Sequence, residues 1–298
     1  MARSFPPDIV LLDTDSLVHV RLSRGKKNPR VVSVKTYRLG ADTFGEGMVT
    51  PDLIHEASFA EALRRLRMET GNWDRVSVLL PDSWFRMNIL EVPSLPDKPA
   101  EALEVVRWSL KRTLPIAPEE LRIAKEVLGP STSGVQVLVV SAREKTLAAI
   151  ERLFAAVGVE VVLIEATGLN IWNAITVREA PTAGDRLFLF VRDRDFTTAV
   201  FRGNQPLFLR SRNLSAERTL VQEIRLSASY LRDSLRAEGF ESCYVAGNVL
   251  DAETLETVAR EFNAPVKRVT AGEYADDLPG NAMDFDAAIT ASAGVFAA

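Results

Sequence analysis

The chain has 298 residues, 47% of them apolar and 26% charged, with a formal net charge of −4. That length suits two domains of ordinary size, and the composition is that of a globular protein in water. The slight acidity argues against general nucleic-acid affinity, and no apolar run approaches the roughly 20 residues of a membrane span. Cys243 is the single cysteine, so no disulfide can form within the chain, which suits a reducing cytosol. His19 and His55 are too few for a zinc site. The N-terminus has no signal-peptide pattern. The Arg-rich stretch 186–236 is interleaved with acids and reads first as a solvated face, second as a contact for an acidic surface.

Residues 8–12 read as a short apolar strand ending at Asp13. Residues 17–22 and 30–39 continue it as an antiparallel meander, with a turn at 25–29. Residues 44–50 read as a glycine-rich loop, in which Gly45 and Gly47 are too closely set for a phosphate loop. A helix carries Phe59, Ala62, Leu63 and Leu66 to a stop at Gly71, and a strand at 75–80 ends at Pro81-Asp82.

Residues 84–165 then read as a β-α-β-β-α-β module. It comprises an extended run at 84–92, a helix starting near Pro99 with Leu103, Val106, Leu110 and Leu114 on one face, and strands at 121–128 and 135–141. A second helix with Leu147, Ile150, Leu153, Phe154 and Val157 ends at Gly158, and a last strand spans 159–164. Val105 and Trp108 lie opposite the first helix's apolar stripe. That face either packs on a neighbouring domain or forms a groove wall for a partner, where tryptophan is enriched.

A helix at 166–177 and a linker at 181–184 follow, and the opening pattern repeats. Strands are expected at 187–191, 196–201 and 207–210, with a turn at Gly203-Asn204. Next come a long helix with Leu220, Ile224, Leu231 and Leu235 on one face and a strand at 241–246 before Gly247. A helix at 251–262, a strand at 265–269 and an Ala-rich helix at 285–296 complete the chain. Two halves that open alike predict a duplicated α/β fold with a cleft between them. The expected units are a first lobe at 1–83, the inserted module at 84–165, a helix and linker at 166–183 and a second lobe at 184–298.

The order of parts resembles the actin-like ATPase superfamily, in a two-lobed form like that of FtsA and PilM. It looks most like the PilM family of type IV pilus assembly and is also similar to the cytoplasmic domain of GspL from type II secretion. Three stretches carry the likeness. Arg107-Trp108 is followed by the proline corner Leu114-Pro115-Ile116-Ala117-Pro118-Glu119-Glu120. Val139-Val140-Ser141-Ala142-Arg143-Glu144 leads into the helix ending at Gly158. Residues 287–298 form an Ala/Gly-rich final helix. The resemblance implies a cytoplasmic protein held peripherally at the inner membrane through its partners. The implied partners are the tail of a PilN-like bitopic membrane protein and other proteins of a pilus or secretion platform. The tail would bind a groove between the first lobe and the module, for which Trp84, Arg86 and Trp108 are the candidate residues.

The family holds nucleotide phosphates between two glycine-containing hairpin turns, one per lobe, where backbone N–H groups must approach closely. Here the first turn reads Asp13-Thr14-Asp15, with Asp15 in the glycine position. The second reads Arg192-Asp193-Arg194-Asp195, with no glycine between Asp185 and Arg202. The step that would lie beside the adenosine is Gly247-Asn248-Val249, with one glycine. Asp13, Asp15, Asp193, Asp195 and Gly247 thus mark a degenerate nucleotide pocket, and neither ATP nor a metal is expected as cofactor. Four carboxylates could instead hold a divalent cation, but Asp is also a common turn residue and Arg192 and Arg194 are at hand to pair with them. No nucleophile-base arrangement is evident. The expected function is a non-catalytic scaffold. The alternatives are a working ATPase that binds ATP and Mg2+ through altered turns and, behind it, a sugar-kinase-like phosphotransferase.

Overall fold

The computed structural model describes residues 5–12, 15–40, 43–45, 50–214, 219–248 and 250–297. Asp13 and Val249 lie outside the described residues. A continuous apolar run builds β1 (Asp8–Leu12), and β2 (Ser16–Ser23) and β3 (Arg30–Arg38) pair onto it as an antiparallel meander. In α1 (Glu56–Thr70), Phe59, Ala62, Leu63 and Leu66 form one buried stripe, and β4 (Arg75–Leu80) runs parallel beside β1. A 3-10 turn at Asp82–Trp84 precedes β5 (Arg86–Val92) and α2 (Pro99–Leu110). Next come β6 (Leu121–Pro130), β7 (Val135–Arg143), α3 (Glu144–Ala156), β8 (Glu160–Ala166) and α4 (Thr167–Arg178).

The second half opens with β9 (Asp185–Val191), β10 (Asp195–Arg202) and β11 (Gln205–Asn213). A capping box at Thr219 and Gln222 starts α5 (Leu220–Leu235). After β12 (Ser242–Gly247), Asp251 caps α6 (Ala252–Phe262) by accepting the Thr254 N–H. The short β13 (Val266–Arg268) and α7 (Ala271–Tyr274) lead to α8 (Asp286–Ala297).

Each lobe has a five-stranded sheet of the same topology, β3-β2-β1-β4-β8 in the first and β11-β10-β9-β12-β13 in the second. In both, an antiparallel meander is followed by two parallel strands. The duplication expected from the repeated openings is therefore present strand for strand. The elements expected at 84–165 occur in the order β5-α2-β6-β7-α3-β8, but they do not make one unit. Only β5, β7 and β6 form the inserted antiparallel sheet. β8 joins the first lobe beside β4, and α3 buries Leu147, Ile150, Leu153 and Phe154 in the core shared with α1.

The layers run α1/α3, first sheet, α4/α8, second sheet, α5/α6. Apolar clusters fill the two outer spaces. The middle one is continuous across both lobes. It joins Ile9, Val20 and Leu79 of the first sheet to Phe188, Phe201 and Tyr244 of the second through α4 and α8. The α8 helix is buried nearly all round and built of small residues. A Cβ on Gly294 would stand 1.9 Å from the Asn170 carbonyl oxygen, so glycine permits α8 to cross α4 at this distance. The inserted sheet has a small core of its own, with Val92, Val106, Leu110, Val137 and Val139.

Candidate functional site

The turn between β9 and β10 is closed on itself. Arg192 N–H donates to the Asp195 carbonyl at 2.9 Å, and its guanidinium donates Nη2 to Asp195 Oδ2 at 2.7 Å and Nε to Oδ1 at 3.2 Å. Asp195 is buried, whereas Asp193 and Arg194 between them are exposed. Ser83 Oγ, from the 3-10 turn of the first lobe, reaches Asp195 Oδ2 at 3.4 Å. In the first turn Asp15 is exposed and accepts the Ser16 hydroxyl at 3.2 Å. Among the described residues, no three His, Cys, Asp or Glu side chains are gathered to hold a metal ion. Gly247 has φ +129°, and a Cβ there would lie 1.7 Å from the Val191 carbonyl oxygen. The close approach of β12 to β9 thus requires this glycine whatever else the position does.

Behind Ser83 lies a residue that sequence reading passed over as a strand end. Asp82 is fully buried. Its Oδ1 accepts the Gly168 N–H at 2.7 Å in the first turn of α4, where the helix dipole favours an anion. Among the described residues its Oδ2 has no partner within good hydrogen-bond geometry. Burial pushes the carboxyl up to about 6; the Gly168 bond opposes this, the Asp195 charge adds to it, and Arg192 and the Thr197 hydroxyl oppose it. A Pro81-Asp82 step is the only sequence signal here, and it reads equally as a turn.

The candidate partner residues are dispersed. Trp84 is not outward: it is 3% exposed and packs 4.7 Å from the Phe44 ring. The 3-10 turn rotates it inward, off the face that an extended run would give it. Arg86 is half-buried beside Arg212, and burial first, then that like charge, lowers its pKa. Trp108 is 66% exposed on α2, so the face carrying it is not buried by the neighbouring lobe. Neither histidine belongs to a site: His19 is buried, stacked 5.3 Å from Trp73 and bonded to Asp8 at 2.8 Å, and His55 precedes α1.

None of the three lines a large cavity beside the inserted sheet. That cavity, about 800 Å3, lies between the inserted sheet and the two lobes. One wall is β6 and the face of β7, with Leu138 and Val140; the other is β8 and α4, with Leu163, Leu169 and Trp172. The β10–β11 turn closes one end, where Gln205 Nε2 donates to the Leu128 carbonyl at 2.7 Å. Both walls are braced. Arg122 of β6 bonds Glu144 and Glu151 of α3, through four contacts of 2.5–2.9 Å. Thr50 Oγ1 donates to the Trp84 carbonyl and accepts the Arg143 N–H, each at 2.8 Å. Trp172 stacks on Phe201 at 4.0 Å, with the Arg186 guanidinium 4.9 Å from its ring centre. The groove is thus built from strand and helix faces rather than loops.

Two mirrored five-stranded sheets around α4 and α8, with a sheet inserted after β4, define the architecture. The fold is actin-like. A PilM–PilN type IV pilus biogenesis complex contains a chain that superposes at TM-score 0.80 and 18% identity, covering 99% of this chain and 98% of that one. A Bacteroides thetaiotaomicron protein with an actin-like ATPase fold and unknown function matches at TM-score 0.58 and 13% identity, over 95% of each chain. The cytoplasmic domain of EpsL, an inner-membrane component of the Vibrio cholerae type II secretion system, matches at 0.52 and 13%, over 85% of this chain and 93% of that one. No protein-family model matches the sequence. No curated protein is similar to it in sequence. The actin-like architecture, with its inserted sheet, is thus matched over 99% of this chain.

Proposed function

We propose that the chain is a non-catalytic scaffold of a type IV pilus or type II secretion assembly platform. In this reading it binds the cytoplasmic tail of a PilN-like membrane protein in the groove between β6/β7 and β8/α4. The groove carries the reading: about 800 Å3, framed by two sheets and lined by apolar side chains with a charged rim, it offers strand edges along which an extended segment can lie. The full-length likeness to a chain solved in a PilM–PilN complex supports the choice of partner. Among the described residues no helix is long and apolar enough to cross a membrane, so the scaffold would be held at the inner membrane by that partner. The test is titration of a synthetic tail peptide by calorimetry. Leu138→Glu, which places a charge on the groove wall, should weaken binding at least about 30-fold, the effect of losing a contact worth ~2 kcal/mol. Trp108→Ala should leave binding within twofold, since Trp108 does not line the cavity. Unchanged affinity in Leu138→Glu would place the tail elsewhere.

The same reading includes no useful ATP binding. Asp195 is committed to Arg192, and the β9–β10 turn has no glycine to expose its N–H groups. A fluorescent ATP analogue titrated at millimolar magnesium should give no saturable signal and no rise in melting temperature. Ligand at ~100 times its dissociation constant would add about 2.7 kcal/mol of stability, so binding could not be missed. A saturable, micromolar response would replace the scaffold with a working ATPase.

A further inference from the structure

Among the described residues, Glu165 is the one partly buried charge of the groove that no opposite charge neutralises. The groove's charged lining residues are Arg122, Lys125, Glu126, Glu165 and Arg202. Arg122 is held by Glu144 and Glu151, and Arg202 by both carboxylate oxygens of Asp185 at 2.7 and 3.0 Å. Lys125 and Glu126 are neighbours on the exposed rim strand. Glu165 sits deeper, half-buried at the end of β8. Its one hydrogen bond among the described residues comes from Asn170 Nδ2 at 2.9 Å, and Asn170 is itself buried and fixed to the Ala166 carbonyl. Burial pushes the Glu165 carboxyl up and the Asn170 bond opposes this; among the described residues no cation bears on it. A partly desolvated carboxylate without a cation is a standing penalty, which an incoming cation removes.

The surroundings specify how that cation arrives. Among the described residues β8 is the last strand of its sheet and β6 the last of the inserted sheet, so each presents an edge to which no further strand is bonded, and both line the cavity. An extended segment laid along such an edge gains main-chain hydrogen bonds and alternates its side chains between wall and solvent. Leu163, Leu169 and Trp172 flank Glu165 and would cover the aliphatic stem of a long basic side chain.

Resting on the docking reading above, we infer that the groove takes an extended peptide with a lysine or arginine set against Glu165, which selects that side chain. The test needs no knowledge of the natural partner. A displayed library of random twelve-residue peptides is selected on the full chain, on Glu165→Gln and on Glu165→Lys, with Leu138→Glu as the groove control. Thermal unfolding verifies that each variant folds. Wild-type winners should share a base at one fixed position among apolar residues, and replacing that base by alanine should weaken each at least tenfold. Glu165→Gln should abolish the preference, and Glu165→Lys should select an acid there. Winners that depend on Leu138 but show no base preference, or keep it in Glu165→Gln, would overturn the role of Glu165 and leave the docking groove intact. Winners indifferent to Leu138→Glu, or no winners at all, would remove the groove as a peptide site and this inference with it.

Discussion

Gly294→Ala is expected to destabilise the protein by about 3 kcal/mol or more, at the upper end of what an inserted methyl does in a closed core. The added Cβ would stand 1.9 Å from the Asn170 carbonyl oxygen, 2.8 Å from its carbon and 3.2 Å from the Ala174 nitrogen. All three are backbone atoms, so no side chain can swing aside and the two helices must part. Parting them opens the apolar layer that both sheets share. For a chain of 298 residues a loss of about 3 kcal/mol lowers the melting temperature by roughly 5 °C. Gly280→Ala is the control: no heavy atom lies within 4 Å of its Cβ, and its melting temperature should be unchanged or slightly higher. An unchanged midpoint for Gly294→Ala would show that α8 does not sit as closely on α4 as described.

Asp82→Asn is expected to stabilise the protein above pH 6 by about 3 kcal/mol. Burial raises the Asp82 carboxyl from 3.8 to about 6, roughly two units, and each unit is worth about 1.4 kcal/mol. Because the folded value lies above the unfolded one, the folded state holds the extra proton between these values. Stability contributed by Asp82 is therefore full below pH 3.8 and is lost as pH rises toward 6. Asparagine keeps the acceptor for Gly168 N–H and cannot ionise. Urea unfolding from pH 4 to 8 should show the variant gaining on the wild type through this window and running parallel to it above. A constant difference at all pH values would mean that Asp82 does not titrate there. Keeping an ionisable residue at this junction of the two lobes works against stability, which is a mark of positions held for function.

The paired meanders were legible in the sequence because each is a set of short apolar runs, β1, β9 and β10 buried almost throughout, separated by turns with Gly, Asn or Asp. The helix stripes at Phe59–Leu66 and Leu147–Phe154 were legible for the same kind of reason. Strand partnership was not. The run 159–164 reads identically whether it closes the inserted sheet or joins the lobe, since its apolar residues serve either. Its parallel pairing with β4 is a tertiary choice. The Trp84 side chain was misplaced because one 3-10 turn shifts the phase of everything before it. The acids of the degenerate turns were visible by type, but their fates differ. Asp195 is locked to Arg192, Asp193 is exposed, and neither outcome follows from composition. Glu165 was invisible as a site residue because its meaning depends on the cations that are not near it.

The shared middle layer also has a consequence in time. α4 ends at Arg178, and the helix that covers it, α8, ends at Ala297. At about 5–20 residues per second, the ribosome needs roughly 6–24 s to make the intervening stretch. Through that interval the finished first lobe carries an uncovered apolar helix face, long enough for a chaperone to engage it and for crowded nascent chains to stick to one another. Completion of α8 is what closes the apolar layer through which the two halves meet.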